Sequence, residues 1–178
     1  MMQRIRESLI FGNILTWDNS ELRDWKCAGR YMAAMMSKTS HVYFQDDDVI
    51  VPRSTQAALL ETMSDVEIVA NWGHGDNADG YDDLPLVCGG AIARKDAPLG
   101  AMMRYAEIHP LDQDFAYEAD FAVGVLYHSF EHVHLPFDIN LEVAQHRSRL
   151  CNQPWQRDLK LKITERARAI RDRQAVAA

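Results

Sequence analysis

Tyr43-Phe44-Gln45-Asp46-Asp47-Asp48-Val49-Ile50-Val51-Pro52 is the stretch whose reading decides the fold of this 178-residue chain. It continues a short apolar strand, His41 to Phe44, and stops abruptly in three adjacent carboxylates. A buried strand ending in this way sets its acids at the carboxyl end of a sheet, where open α/β sheets bind ligands. Three neighbouring negative charges repel one another, and a protein keeps them together only if they stay solvated or meet a cation. Hard oxygen ligands suit Mg²⁺ or Mn²⁺, which can bridge the two phosphates of a nucleotide. The competing reading is a solvated acidic turn; the apolar strand before the triplet favours the site.

Outward from that stretch, apolar runs alternate between the two periods. On the N-terminal side, residues 1–9 read as the end of a short helix and Leu9 to Trp17 as a strand interrupted by Gly12. Asp18-Asn19-Ser20 supplies turn chemistry, because all three side chains can bond nearby backbone. Glu21 to Lys38 carries apolar residues at helical spacing, with Gly29 weakening its middle. On the C-terminal side, Val49 to Val51 leads to a helix over 54–63 with Ser54 as its cap. Val66 to Trp72 reads as a strand, 73–84 as a polar loop, Leu86 to Ala93 as an apolar glycine-containing segment and 98–106 as a helix. Phe121 to Phe130 reads as a helix and His132 to Pro136 as a strand. Strands alternating with helices predict an α/β fold, a mostly parallel central sheet flanked by helices. Residues 1–154 read as one domain, followed over 155–178 by a charged helix or tail with seven Lys or Arg against three acids.

Composition narrows the function. A net charge of −7 opposes a dedicated nucleic-acid surface, which needs a broadly basic face. Cys27, Cys88 and Cys151 are odd in number and widely spaced, so they predict reduced thiols and a cytoplasmic protein rather than a disulfide frame. No window approaches the ~18 apolar residues of a membrane span.

Three segments then carry a resemblance. Gly29-Arg30-Tyr31-Met32-Ala33-Ala34 followed by Val42 to Pro52 resembles the DxD region of GT-A nucleotide-sugar glycosyltransferases. Thr16 to Ser20 is similar to the strand-end segment that contacts the nucleobase in those enzymes, and Glu118-Ala119-Asp120 followed by Phe-Ala-Val-Gly-Val-Leu to the acidic helix start that bears their base. The likeness runs from Leu9 to Arg149 in order. It implies a metal-dependent transferase moving a sugar from a nucleoside diphosphate donor, a UDP-sugar by preference, to a hydroxyl acceptor. By this resemblance Asp46, Asp48 and His146 would hold Mn²⁺ or Mg²⁺. Asp18, Asn19, Arg30, Asp46, Asp47, Gly89 and Gly90 would meet the nucleotide sugar, and Asp120, or else Glu118, would serve as general base. One departure stands out: GT-A domains open with a strand and helix ahead of the first matched segment, whereas only Met2 to Leu9 precedes it here. An N-terminally shortened sheet leaves a strand unpartnered and predicts marginal stability or a homo-oligomer.

Each residue carries a structural alternative. Asp18 and Asn19 suit an Asx turn equally well. Arg30 suits an ion pair with Glu21 or Asp24. Gly89 and Gly90 could mark a bulge, and Glu118 and Asp120 could be acids favoured by the helix dipole. His132 and His134 share a strand face but lack a third local ligand, so the structural reading is preferred. Two other functions compete: a metal-dependent nucleotidyltransferase or phosphohydrolase, and a truncated, non-catalytic domain that binds nucleotide sugar.

Overall fold

The computed structural model describes residues 2–15, 17–21, 24–71, 84–139 and 153–177. Its centre is a four-stranded sheet in the order β1 (His41–Phe44), β4 (Ala91–Arg94), β3 (Ile68–Asn71), β5 (Phe130–Val133). A separate two-stranded ladder pairs β2 (Val49–Ile50) with β6 (Asp138–Ile139). Helices α1 (Met2–Ser8), α2 (Gly29–Met35), α3 (Arg53–Thr62), α4 (Ala97–Ala106), α5 (Gln113–Tyr117), α6 (Ala119–Leu126) and α7 (Gln156–Ala177) complete the described elements, with a 3-10 turn at Lys26–Ala28 before α2.

The α/β class agrees with the sequence, but the sheet is mixed rather than mostly parallel. β4 runs antiparallel to both of its neighbours, and β3 and β5 alone are parallel. The chain leaves β3 and enters β4 at the same edge, so β4 must run back, whereas a parallel neighbour needs a crossover to the far edge.

Strand alternation divides the interior. Ile68 and Ala70 of β3, Ala91 and Ala93 of β4 and Phe44 of β1 face one layer, shared with α2, α4, α5, α6 and α7. Val69, Ile92 and Tyr43 face the other, under Leu59 of α3. The two-residue period of the strands thus builds a sheet covered on both faces. α7 is no loose tail: Ile163, Ala167 and Ile170 recur at helical spacing and are buried in the main core.

Several boundaries move. Residues 9–15 and Trp17, expected in a strand, form none. The segment is held instead by Gln56, whose side chain accepts from Ile10 N at 3.0 Å and donates to the Ser8 and Val51 carbonyls, and by Phe11 stacked 4.8 Å from Tyr43. The long helix expected over 21–38 is only the 3-10 turn and α2, and Gly29 begins α2 rather than weakening its middle. A side chain on Gly29 would come within 2.9 Å of the Trp17 ring, so the glycine is what lets residues 17–19 lie on the start of α2. α3 begins directly after Pro52, without the side-chain cap expected from Ser54.

Candidate functional site

Topology decides what meets. β1, β3 and β5 point the same way, so their carboxyl ends share one edge with the entry to β4. α2 precedes β1 and α6 precedes β5, and each runs back along the sheet before its strand. Their first turns therefore sit at that edge as well. Arg30 occupies the first turn of α2, Asp120 the first turn of α6, and Asp46 follows β1 by two residues.

The three side chains meet there. Arg30 Nη1 donates to Asp46 Oδ1 at 2.8 Å and lies 3.7 Å from Asp120 Oδ2. Tyr31, next on α2, donates its hydroxyl to Asp120 Oδ1 at 2.7 Å, and its buried ring packs edge-on against Phe44. The Tyr31–Phe44 contact fixes α2 against the end of β1 and so sets how far Arg30 stands from the aspartates. Arg30 accordingly pairs with Asp46 and Asp120, not with Glu21 or Asp24 as the turn alternative had it; Asp24 pairs with Lys26.

The triplet itself is a turn. Asp46 O accepts from Val49 N, Asp46 N donates to Cys88 O, and Gln45 braces the turn by donating to Val49 O at 3.0 Å. Of the three acids only Asp47 is exposed; Asp46 is partly covered and Asp48 retains 7% of its surface. A uniformly solvated acidic loop does not describe this, because burying a carboxylate demands a partner.

Electrostatics follow from that burial. Asp120 is held above the usual carboxylate range by desolvation; Arg30 opposes the rise, Asp46 adds to it and the Tyr31 hydrogen bond again opposes it. Burial works against the Arg30 charge, but Asp120 and Asp46 more than offset it, so the guanidinium stays ionised throughout. Cys27 and Cys88 flank the cluster as free thiols, each pushed up to about 12. Burial comes first in both, followed by Asp120 at Cys27 and by Asp46 at Cys88. A thiol so protected is no nucleophile at neutral pH.

The remaining expected residues are placed as follows. Glu118 ends α5 and precedes α6, is almost fully buried, and accepts from Gln156 Nε2 of α7 at 3.1 Å on both oxygens. Burial pushes its carboxyl up to about 7 against that hydrogen bond and the charge of Lys160. Asp18 is exposed and accepts from Ser20 N and Oγ, which is the Asx turn. Asn19 accepts from Trp25 N at 3.0 Å, beside Gly29. Gly89 and Gly90 are buried. A side chain on Gly89 would stand 2.6 Å from Asn71 O, and Gly90 has φ +99° with Tyr43 and Val51 against it, so the close approach that both serve is to protein. His132 lies 3.2 Å from the Leu84 carbonyl. His146 and Cys151 lie outside the described residues, as does nearly all of the polar loop after Trp72. Among the described residues, no three His, Cys, Asp or Glu gather as a metal cage, and no helix is long and apolar enough to cross a membrane.

Sequence reasoning missed Tyr31 as a polar group, Gln156 and Asn71. Tyr31 reads from its spacing as a core contact, and nothing in the sequence shows where its hydroxyl ends. Asn71 is fully buried at the end of β3 and clasps the edge, donating to Gly89 O and Leu135 O and accepting from Leu135 N. Compared with protein-family models, curated proteins and solved structures, the chain matches none.

Proposed function

We propose that this chain is a metal-dependent glycosyltransferase of the GT-A kind, moving a sugar from a nucleoside diphosphate donor to a hydroxyl acceptor. The observation that carries the reading is one guanidinium joining Asp46 to Asp120 at the carboxyl edge of the sheet. The resemblance assigns the metal to the first of these acids and the proton transfer to the second, and both stand at the edge where such sheets take ligands.

The donor set suits a hard divalent ion. Mg²⁺-type sites commonly use one or two carboxylates and fill the remainder with water and substrate phosphates, so Asp46 and Asp48 suffice without a protein cage. When bound, such an ion neutralises charge on the departing diphosphate. Asp47, exposed on the same turn, would meet the ribose or the sugar in this reading.

Asp120 supplies the base. Tyr31 holds Oδ1, while Oδ2 lies beyond hydrogen-bond distance of Arg30 and keeps a lone pair for the acceptor hydroxyl. In the inverting course Oδ2 takes that proton as the acceptor oxygen bonds to the anomeric carbon, and the bond from that carbon to the diphosphate breaks with its electron pair leaving on phosphate. The raised proton affinity makes Asp120 a stronger proton acceptor than an ordinary aspartate.

The test is a thermal-shift and calorimetric screen of UDP- and GDP-sugars with and without Mn²⁺, on the wild type and Asp46→Asn. The proposal expects stabilisation by a UDP-sugar that needs the metal and is lost in the variant. Unchanged donor affinity in Asp46→Asn would sink it. Donor hydrolysis with no transfer to any alcohol would move the chain to the phosphohydrolases.

A further inference from the structure

Arg30 already holds one oxygen of the carboxylate to which the proposed function assigns a metal. It bonds Asp46 Oδ1 and reaches Asp120 Oδ2, so one positive charge serves two carboxylates drawn from different elements. Its charge cannot be shed, since the two acids hold its proton well above the ordinary arginine range. A divalent ion arriving at Asp46 therefore meets a fixed like charge one hydrogen bond away. Sharing one carboxylate sets the two cations against each other, and the guanidinium is the one that can move. About a quarter of its side chain is open to solvent, and its second partner, Asp120, is already within ion-pair reach.

We propose that Arg30 is an exchangeable counter-ion. It partly offsets the charge of Asp46 and Asp120 while no metal is bound, and a divalent cation entering at Asp46 displaces it from that carboxylate. The freed fork, still tethered near Asp120, then takes a phosphate of the donor, for which its planar pair of N–H groups is suited. Metal and guanidinium thus oppose each other on Asp46 but cooperate on the diphosphate. This rests on the reading of Asp46 as a metal ligand, and it adds an order of events: metal first, then Arg30 released, then nucleotide gripped.

The experiment titrates Mn²⁺ alone, followed by electron paramagnetic resonance of the free ion, into the full chain and its Arg30→Gln, Arg30→Lys and Asp46→Asn variants. UDP is then added to each at saturating Mn²⁺. Arg30→Gln should bind Mn²⁺ about tenfold more tightly than the wild type, a coupling of ordinary size between linked sites, and bind UDP more weakly. Arg30→Lys keeps the charge without the fork, so it should bind Mn²⁺ as the wild type does and UDP more weakly. If Arg30→Gln is too unstable to titrate directly, Mn²⁺ should raise its melting temperature more than that of the wild type. Mn²⁺ bound by the wild type through Asp46 but with unchanged or lower affinity in Arg30→Gln overturns the counter-ion and leaves the metal site standing. No Mn²⁺ bound by either protein overturns both.

Discussion

Glu118 and Asp120 stand two residues apart at the start of the same helix, and the structure gives them opposite surroundings. Asp120 turns to a cation and a phenol at the sheet edge; Glu118 turns inward to an amide on α7. Both are carboxylates with raised proton affinity, and burial is the first cause in each. What separates them is the partner. A charge facing a guanidinium can stay ionised and exchange protons with a substrate, whereas one facing an amide in the core is held in place as structure. Neighbouring acids on a helix start are therefore not interchangeable candidates, and that contrast can be tested.

The largest expected effect is on catalysis. Asp120→Asn keeps size and polarity but removes the proton acceptor, so sugar transfer should fall by about 10² to 10⁴ while metal-dependent donor affinity holds. Glu118→Gln should transfer at close to the wild-type rate. A transfer assay in which Glu118→Gln is the worse of the two would reverse the roles assigned here.

Stability should separate the pair in the other direction. The Glu118 carboxyl sits at about 7 in the folded chain against an ordinary 4.5, so the folded state holds a proton that the unfolded state has released. Stability is accordingly highest below pH 4.5 with respect to this group and is lost as pH rises through about 7. Glu118→Gln mimics the protonated form and should be more stable than the wild type at pH 8, by up to about 3 kcal/mol. The gain should vanish at pH 4.5. Urea titrations at both pH values would show it, and a pH-independent difference would mean that the Glu118 carboxyl does not titrate in the folded state as described.

Gln156→Leu probes the same contact from α7. Leaving the buried Glu118 carboxylate without its donor should cost about 1 to 3 kcal/mol at pH 8 and less at pH 5, where the acid is neutral. Equal losses at the two pH values would assign the effect to packing.

The smallest effect belongs to Tyr31→Phe. It should lower stability by about 1 kcal/mol. It should also shift the acid limb of the transfer rate to higher pH, because the lost hydrogen bond had favoured the ionised Asp120. An unmoved pH profile would show that Tyr31 supports the fold without tuning the base.

Much of the fold was legible because burial imposes period. The strand at 41–44 and the helix near 98–106 follow from apolar residues, the last helix from its charge, and the α/β class from their alternation; that Ile163, Ala167 and Ile170 bury that helix in the core was not legible. The sense of β4 was not legible, since the four residues Ala-Ile-Ala-Arg carry no signal of strand direction. The segment from Leu9 to Trp17 misled because its apolar residues suit a strand, while what holds it is a buried glutamine 46 residues away from Ile10 and the stacking of Phe11 on Tyr43. At the site, Asp46 and Asp120 were visible as acids after a strand and at a helix start. That Arg30 would join them depends on where α2 ends up, and a glycine amid helical spacing looks like a flaw in the helix until Trp17 is seen lying against it. Side-chain partners across the chain follow from the third dimension, which local patterns do not carry.

The hydrogen bond from Tyr31 to Asp120 spans 89 residues. Closing a loop of that size has an entropic cost that local helix contacts do not repay, so contacts of this kind form late as a chain folds. The helices and the β1–β4 and β3–β4 ladders can exist before α6 docks, but the charge cluster cannot. A partly folded chain would hold Asp46, Asp47 and Asp48 on a loose turn without Arg30 and Asp120 arranged around them. The charge cluster is thus a property of the finished molecule alone, and any ligand bound there would slow unfolding far more than it would speed folding.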